Sequence, residues 1–191
     1  MAITTLSRTY PRKARLRDGG EATLRLMTEQ DRDALLAFAR RLPGDDLLFL
    51  RMDITQAPVV DEWIANIQAG RTITILAEVH GELAGYASLH YSEVLWTRHV
   101  GEIRVAVAPK HRRHLLGQAL TEEVFSIARE LGLSKVTAQM TPDQAGARAT
   151  FERLGFRPEA LLADYVQDRG GRTRDMLIMA YDVTGFHDDA T

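Results

Sequence analysis

The chain reads as a single α/β domain. Three observations carry that expectation. The hydrophobic pattern switches between period 2 and period 3.6 in the order strand, two helices, three strands, helix, strand, helix, two strands. His80-Gly81-Glu82 joins two β-rich runs as a tight hairpin. From Ile103 to Leu120, a β-branched run stops at Pro109 and leads through a basic turn into an amphipathic helix.

The elements follow in order. Residues 1–20 are polar and basic and end in the turn signal Asp18-Gly19-Gly20, an arm or an edge strand. Ala22–Met27 alternates as a half-buried strand. Thr28 caps a helix in capping-box fashion with Asp31, and Leu35, Leu36, Phe38, Ala39 and Leu42 form its apolar side before Pro43-Gly44. Residues 45–58 are irregular, with an apolar patch at Leu47–Leu50. Val59–Ala69 is a short helix through Val60, Trp63, Ile64 and Ile67. Strands follow at Thr72–Val79, Leu83–Tyr91 and Val100–Ala108. Leu116, Leu120, Val124, Ile127, Ala128 and Leu131 make a helical stripe ended by Gly132. Lys135–Met140 is a strand, and Ala147, Phe151 and Leu154 mark a helix stopped by Gly155. Strands at 161–167 and 175–182 flank the turn Asp168-Arg169-Gly170-Gly171, and residues 184–191 look frayed.

Composition sets the bounds. With 191 residues, 45% hydrophobic and 26% charged, the chain can bury a sizeable core. A net charge of −2 gives no global pull toward nucleic acid or an anionic membrane, and neither is expected as a partner. There is no cysteine, so disulfides, thiolate metal sites and a cysteine nucleophile are excluded. No signal-like or membrane-spanning apolar stretch is seen, and cytoplasm is the expected compartment. His111 and His114 stand three apart, but no further ligand is evident and no metal is expected. Ser88 is not in a Gly-x-Ser-x-Gly elbow.

The chemistry concentrates at the strand–loop–helix. The N–H groups of a first helical turn lack intrahelical partners, and the helix dipole favours an anion there. Arg112, Arg113 and His114 add donors at that place. A five-residue basic run in a net-acidic chain reads as a phosphate clamp.

Two spacings then identify a family. Val105, Val107, Pro109, Arg112, Gly117 and Leu120 follow Val-x-Val-x-Pro-x-x-Arg/Gln-x-x-Gly-x-Gly/Ala-x-x-Leu. Ala147, Arg153, Gly155 and Phe156 follow Asn-x-x-Ala-x-x-x-Tyr-x-Lys/Arg-x-Gly-Phe. Over residues 21–183 the chain resembles the GCN5-related N-acetyltransferase (GNAT) superfamily. The resemblance implies a mixed, mostly antiparallel sheet of about six to seven strands flanked by four helices. It implies acetyl-CoA as acyl donor, no metal, and direct attack of a primary amine on the thioester. The acceptor is a small-molecule amine or a protein lysine, and homodimer formation is left open.

By the same resemblance, the donor is held by Val105, Ala106, Val107, Arg112, Arg113, His114, Leu115, Leu116, Gly117, Gln118, Ala119, Gln144 and Phe151. A second alignment puts His114 in the Arg/Gln slot, with Gly117 and Ala119 as its small residues. Three positions depart from the pattern. Leu115 stands for the first glycine, Gln144 for the asparagine, and Phe151 for a tyrosine taken to protonate the departing thiolate. Tyr165 and Tyr86 are substitute acids; otherwise water serves, or the thiolate leaves as such, since a thiol titrates near about 8.5. Glu102 is the candidate base, or else a salt-bridged partner of Arg104, and His99 is a candidate relay. The acceptor side falls on residues 31–69 and 161–181, where Asp45, Asp46, Asp53, Asp61 and Glu62 would attract a cation. The run Asp46–Asp53 resembles the acceptor side of bacterial GNAT domains related to protein-lysine acetyltransferases. A noncatalytic acyl-CoA-binding module is the alternative function.

Overall fold

The computed structural model describes residues 6–47, 52–168 and 170–183. Eight strands form one sheet: β1 (Arg12–Arg15), β2 (Glu21–Leu26), β3 (Thr72–Val79), β4 (Glu82–Tyr91), β5 (Val100–Val107), β6 (Lys135–Met140), β7 (Arg157–Gln167) and β8 (Thr173–Asp182). Their spatial order is β1-β2-β3-β4-β5-β6-β8-β7, antiparallel except for the parallel pair β5/β6. The helices are α1 (Arg32–Arg40), α2 (Gly44–Leu47), α3 (Ala57–Gln68), α4 (Leu116–Glu130) and α5 (Ala145–Arg153). The α/β GNAT fold implied by the motifs is the fold observed, with eight strands against the six to seven expected and the four-residue α2 added to the four helices expected.

The differences have local causes. Strand β1, Arg-Lys-Ala-Arg, has no apolar alternation, and its backbone pairing to β2 brings Ala14 opposite Ala22. Strand β7 starts at Arg157 rather than 161, because an edge strand tolerates Pro158 and the pairing slips between Pro158 and Ala160. The helix expected after Thr28 opens as a 3-10 turn, Glu29–Asp31, and α2 occupies part of the stretch expected to be irregular. The expected fraying of 184–191 and the apolar run Leu48–Leu50 lie outside the described residues.

The sheet buries both faces. Against one lies α4, through the expected Leu116, Leu120, Val124, Ile127 and Ala128, with Phe151 of α5 beside them. Against the other lie α1 and α3, whose Phe38 and Trp63 meet the Tyr86 ring edge-on at 6.0 and 4.9 Å. Each such ring or branched aliphatic buried contributes roughly 1.5–3 kcal/mol.

The N-terminal residues fasten to α4. The Tyr10 hydroxyl donates to Glu123 Oε1 at 2.8 Å, and Arg8 and Arg12 pair with the same carboxylate at 3.2 and 3.6 Å. Burial and the neighbouring Glu123 push the Tyr10 hydroxyl pKa upward, so it stays a donor.

Asp31 ties β2 to the entry of α1. Arg25 donates to both its oxygens at 2.7 and 2.9 Å, and the Thr28 N–H donates to Oδ2 at 2.8 Å. Burial alone would raise this carboxyl's pKa, but the bonds from Arg25 and Thr28 outweigh it and hold the value below the usual range. A carboxylate so held stabilises the fold fully above the ordinary carboxylate range and loses that contribution as pH falls through its folded value. Asp31→Asn is therefore expected to cost about 1–3 kcal/mol at pH 7. In urea melts the gap to wild type should narrow below about pH 4.

Candidate functional site

The site begins where two strands part. Strands β5 and β6 pair only at Val100–Lys135, Gly101–Val136 and Glu102–Thr137. At that foot the strands and the adjoining Leu89 and Leu133 pack so closely that a Cβ on Gly101 would meet both leucines at 2.7–2.8 Å. Above it β5 stays with β4 to Val107, while β6 stays with β8 to Met140. Antiparallel pairing is slightly the more stable per residue, so each strand follows its antiparallel neighbour and a wedge opens between them.

The wedge exposes backbone on alternate residues. Ala108 donates to Ala84 O at 2.9 Å, which places the even residues of β5 in exchange with β4. Ile103, Val105 and Val107 then turn their N–H and C=O toward the wedge. Two side chains agree, since Thr137 Oγ1 reaches Gly101 O at 3.3 Å and Arg112 Nε reaches Val107 O at 3.1 Å.

A cavity of about 590 Å³ fills the wedge and runs to the start of α4. Of the expected donor residues, Val105, Ala106, Val107, Arg112, Arg113, Leu115, Gly117, Gln118, Gln144 and Phe151 line it, as does Glu102. The first bond from inside α4 back to its cap is Ala119 N–H to Leu115 O at 2.9 Å, so the N–H groups of Leu116, Gly117 and Gln118 precede the ladder. A Cβ on Gly117 would meet only Val107 Cγ2 at an ordinary 3.6 Å. Protein packing does not demand that glycine; the space it leaves is open to a bound group.

The structure does not bring six of the expected residues to the cavity wall. Leu116 points into the core, and the Ala119 N–H is spent within the helix. His114 turns to the N-terminal hairpin, with Nδ1 3.2 Å from Asp18 Oδ2. His99 lies on the exposed turn before β5, its carbonyl accepting from the Ser134 and Lys135 N–H groups. Tyr165 is 64% exposed on β7. Tyr86 is 1% exposed, and burial pushes its pKa up. Phe151 lines the cavity and meets Phe156 edge-on at 5.0 Å, so it is a packed aromatic as well as a wall.

A second cavity of about 260 Å³ opens on the α1/α3 face, walled by Trp63, Tyr86, Ser88, His90 and Glu62 among others. Arg104 lines both cavities and donates to Glu102 Oε1 at 2.7 Å. The pair Glu102–Arg104 therefore stands at the junction. His90 faces Glu102 across the β4/β5 pairing, with Thr72 and Ser88 hydroxyls 3.2 and 2.7 Å from its ring nitrogens. Sequence reasoning missed His90, because only the pairing of β4 with β5 sets it opposite Glu102. Among the described residues no three His, Cys, Asp or Glu side chains gather as a metal site, and no helix is long and apolar enough to cross a membrane.

Leu115 has φ 68° and ψ 3°, and Arg113 has φ 66°. The left-handed conformation at 115 gives a second reason for a glycine there besides close approach of a ligand. A leucine in it is strained by about 1–2 kcal/mol. Leu115→Gly is expected to be neutral or to stabilise by up to about 1 kcal/mol, whereas Glu122→Gly inside α4 should cost about 1 kcal/mol. Chemical denaturation compares them; equal losses would show that residue 115 carries no strain.

Comparison with known proteins agrees with this geometry. Streptothricin acetyltransferase of Streptomyces lavendulae is 33% identical over 76 residues, which is 40% of this chain and only 39% of that protein. The ribosomal protein bS18-alanine N-acetyltransferase of Escherichia coli K12 is 25% identical over 127 residues, 66% of this chain and 82% of that one. The crystal structure of ribosomal-protein-alanine N-acetyltransferase from Brucella melitensis superposes with a TM-score of 0.74 at 26% identity, over 84% of this chain and 99% of that chain. The model of the acetyltransferase (GNAT) family matches residues 45–156, more than half of the sequence, and the chain belongs to that family.

Proposed function

We propose that this protein transfers the acetyl group of acetyl-CoA to a primary amine, on a small molecule or a protein, in the cytoplasm. The observation that carries the proposal is the wedge between β5 and β6. It joins free-facing backbone at Val105 and Val107 to the open N-terminus of α4 through one continuous cavity. The residues present suit the donor. The Leu116, Gly117 and Gln118 N–H groups and Arg112 would hold the pyrophosphate, and the wedge would take the pantetheine arm alongside β5.

Acetyl-CoA supplies a thioester carbonyl whose sulfur is a good leaving group. The work left to the chain is mostly placement. Holding amine and thioester together is worth about 7–11 kcal/mol of the barrier. A β5 N–H facing the wedge is the donor for the oxyanion as the amine nitrogen bonds to the carbonyl carbon. The nitrogen then gives up its second proton to water or to the departing sulfur, the carbon–sulfur bond breaks, and the sulfur leaves as thiolate or as the thiol so formed. The second cavity gives the amine its approach, and Arg104 marks where the two meet. A lysine-like amine titrates near about 10.4 and must lose a proton before it attacks. Glu102 is the base this reading assigns to accept it, supported by its place on the cavity wall and by the hydrogen bond that Arg104 donates to it. Among the described residues no tyrosine lines the donor cavity, so the departing sulfur is assigned a proton from water or from the nitrogen, or leaves as the bare anion.

Phe151 favours a second reading, donor binding without transfer, because it offers no proton where relatives are expected to have a hydroxyl. Release of free thiol from acetyl-CoA over a panel of amines separates the two. Transfer predicts release with at least one amine; binding with no release on any acceptor supports the second. Glu102→Gln is expected to lower turnover by about 10²–10⁴-fold while leaving acetyl-CoA affinity nearly intact. The deficit should be greatest at low pH and shrink as the free amine becomes abundant. An unchanged pH–rate profile would remove Glu102 from the mechanism.

A further inference from the structure

The N-terminal hairpin places a cation at the donor cavity that no motif accounts for. Arg17 lines that cavity together with Arg112 and Arg113. Its position is fixed from both sides. Leu16 before it is buried in the core, and the Arg17 N–H donates to His114 O at 3.1 Å, while Asp18 after it pairs with the His114 ring. The turn itself is closed by Leu16 N–H to Gly20 O at 2.8 Å and Gly20 N–H to Asp18 Oδ1 at 3.0 Å. The hairpin is thus fastened to the loop that leads into α4.

The arginines differ in commitment. Arg112 donates to Val107 O and pairs with Asp46. Among the described residues the Arg17 guanidinium has no hydrogen-bond or ion-pair partner, and the neighbouring Asp18 is engaged by His114. An arginine held by its backbone, exposed at a cavity rim and left without a counter-charge, is arranged for an anion arriving from outside. Arginine's planar fork suits a phosphate monoester bidentately.

Given the donor proposed above, on which this inference rests, the ligand has two anionic groups. The pyrophosphate falls to the helix N-terminus beside Gly117. Arg17 enters the same cavity from the hairpin bonded to His114, and the 3′-phosphate is the anionic group left for it. We infer that Arg17 binds the 3′-phosphate of coenzyme A and makes the site select CoA over its 3′-dephospho form. The N-terminal strand is then part of the donor site and not a solvated arm.

The test is a cycle of ligand and mutation read by calorimetry, with CoA and 3′-dephospho-CoA titrated into wild type, Arg17→Ala and Arg17→Lys. Arg17→Ala is expected to weaken CoA roughly tenfold and to leave dephospho-CoA within about twofold, with Arg17→Lys between wild type and alanine for CoA. Equal weakening of both ligands would place Arg17 on the pyrophosphate or in the general field, and no weakening of either would take it out of the site; both overturn the inference. Wild type that binds neither ligand would instead overturn the donor reading itself.

Discussion

The parallel pair β5/β6 is the constraint on which the rest of the site depends. It lasts for three residue pairs and stops at Glu102–Thr137, because each strand has a longer antiparallel partner to follow. A sheet that simply continued would consume the Val105 and Val107 backbone in its ladder. The break leaves it facing a cavity that runs to a helix N-terminus. The proposed donor channel, oxyanion donor and anion end are all consequences of one interrupted pairing. Glu102, the last residue of β5 paired with β6, sits at the point of divergence, and with Arg104 at the junction of the two cavities.

The loop closing that channel is held against local preference. Arg113 and Leu115 both take left-handed backbone, which non-glycine residues resist. The surrounding contacts keep it there: Leu116 and Leu120 anchor the helix in the core, Thr121 Oγ1 donates to Gly117 O at 2.7 Å, and Arg17 and Asp18 grip His114 from outside. The N-terminal segment, itself bound to α4 through Glu123, therefore supports the loop as well as the sheet edge.

Much of this was legible in the sequence. Periodicity marks α4 to within a residue or so at its end because its buried stripe is long and regular, and the glycine-spaced basic loop marks the proposed donor site. The sequence leaves the segment before Asp18 as an arm or an edge strand, since Arg12–Arg15 carries no apolar pattern; backbone pairing to β2 makes it the edge strand β1. Arg17 looked like one more solvated arginine, because only tertiary contact with His114 places it. His90 is hidden for a related reason: its place opposite Glu102 follows from the pairing of β4 with β5, which is not written in either strand alone. The Glu102–Arg104 pair, two residues apart on one strand, is legible in the sequence. The reading of Leu115 also shifted: a missing glycine appeared as a steric matter between loop and ligand, whereas the backbone angles make it a conformational one as well.

Amide hydrogen exchange with and without CoA tests the central claim most directly. The β5 N–H groups of Arg104 and Ala106 are committed to β4, so they should exchange slowly in both states. Those of Val105 and Val107 face the wedge, so they should exchange faster in the free protein and slow markedly once CoA is added. Val105 and Val107 amides already as protected as their neighbours without CoA, or unchanged by its addition, would contradict a donor site built on the break between β5 and β6.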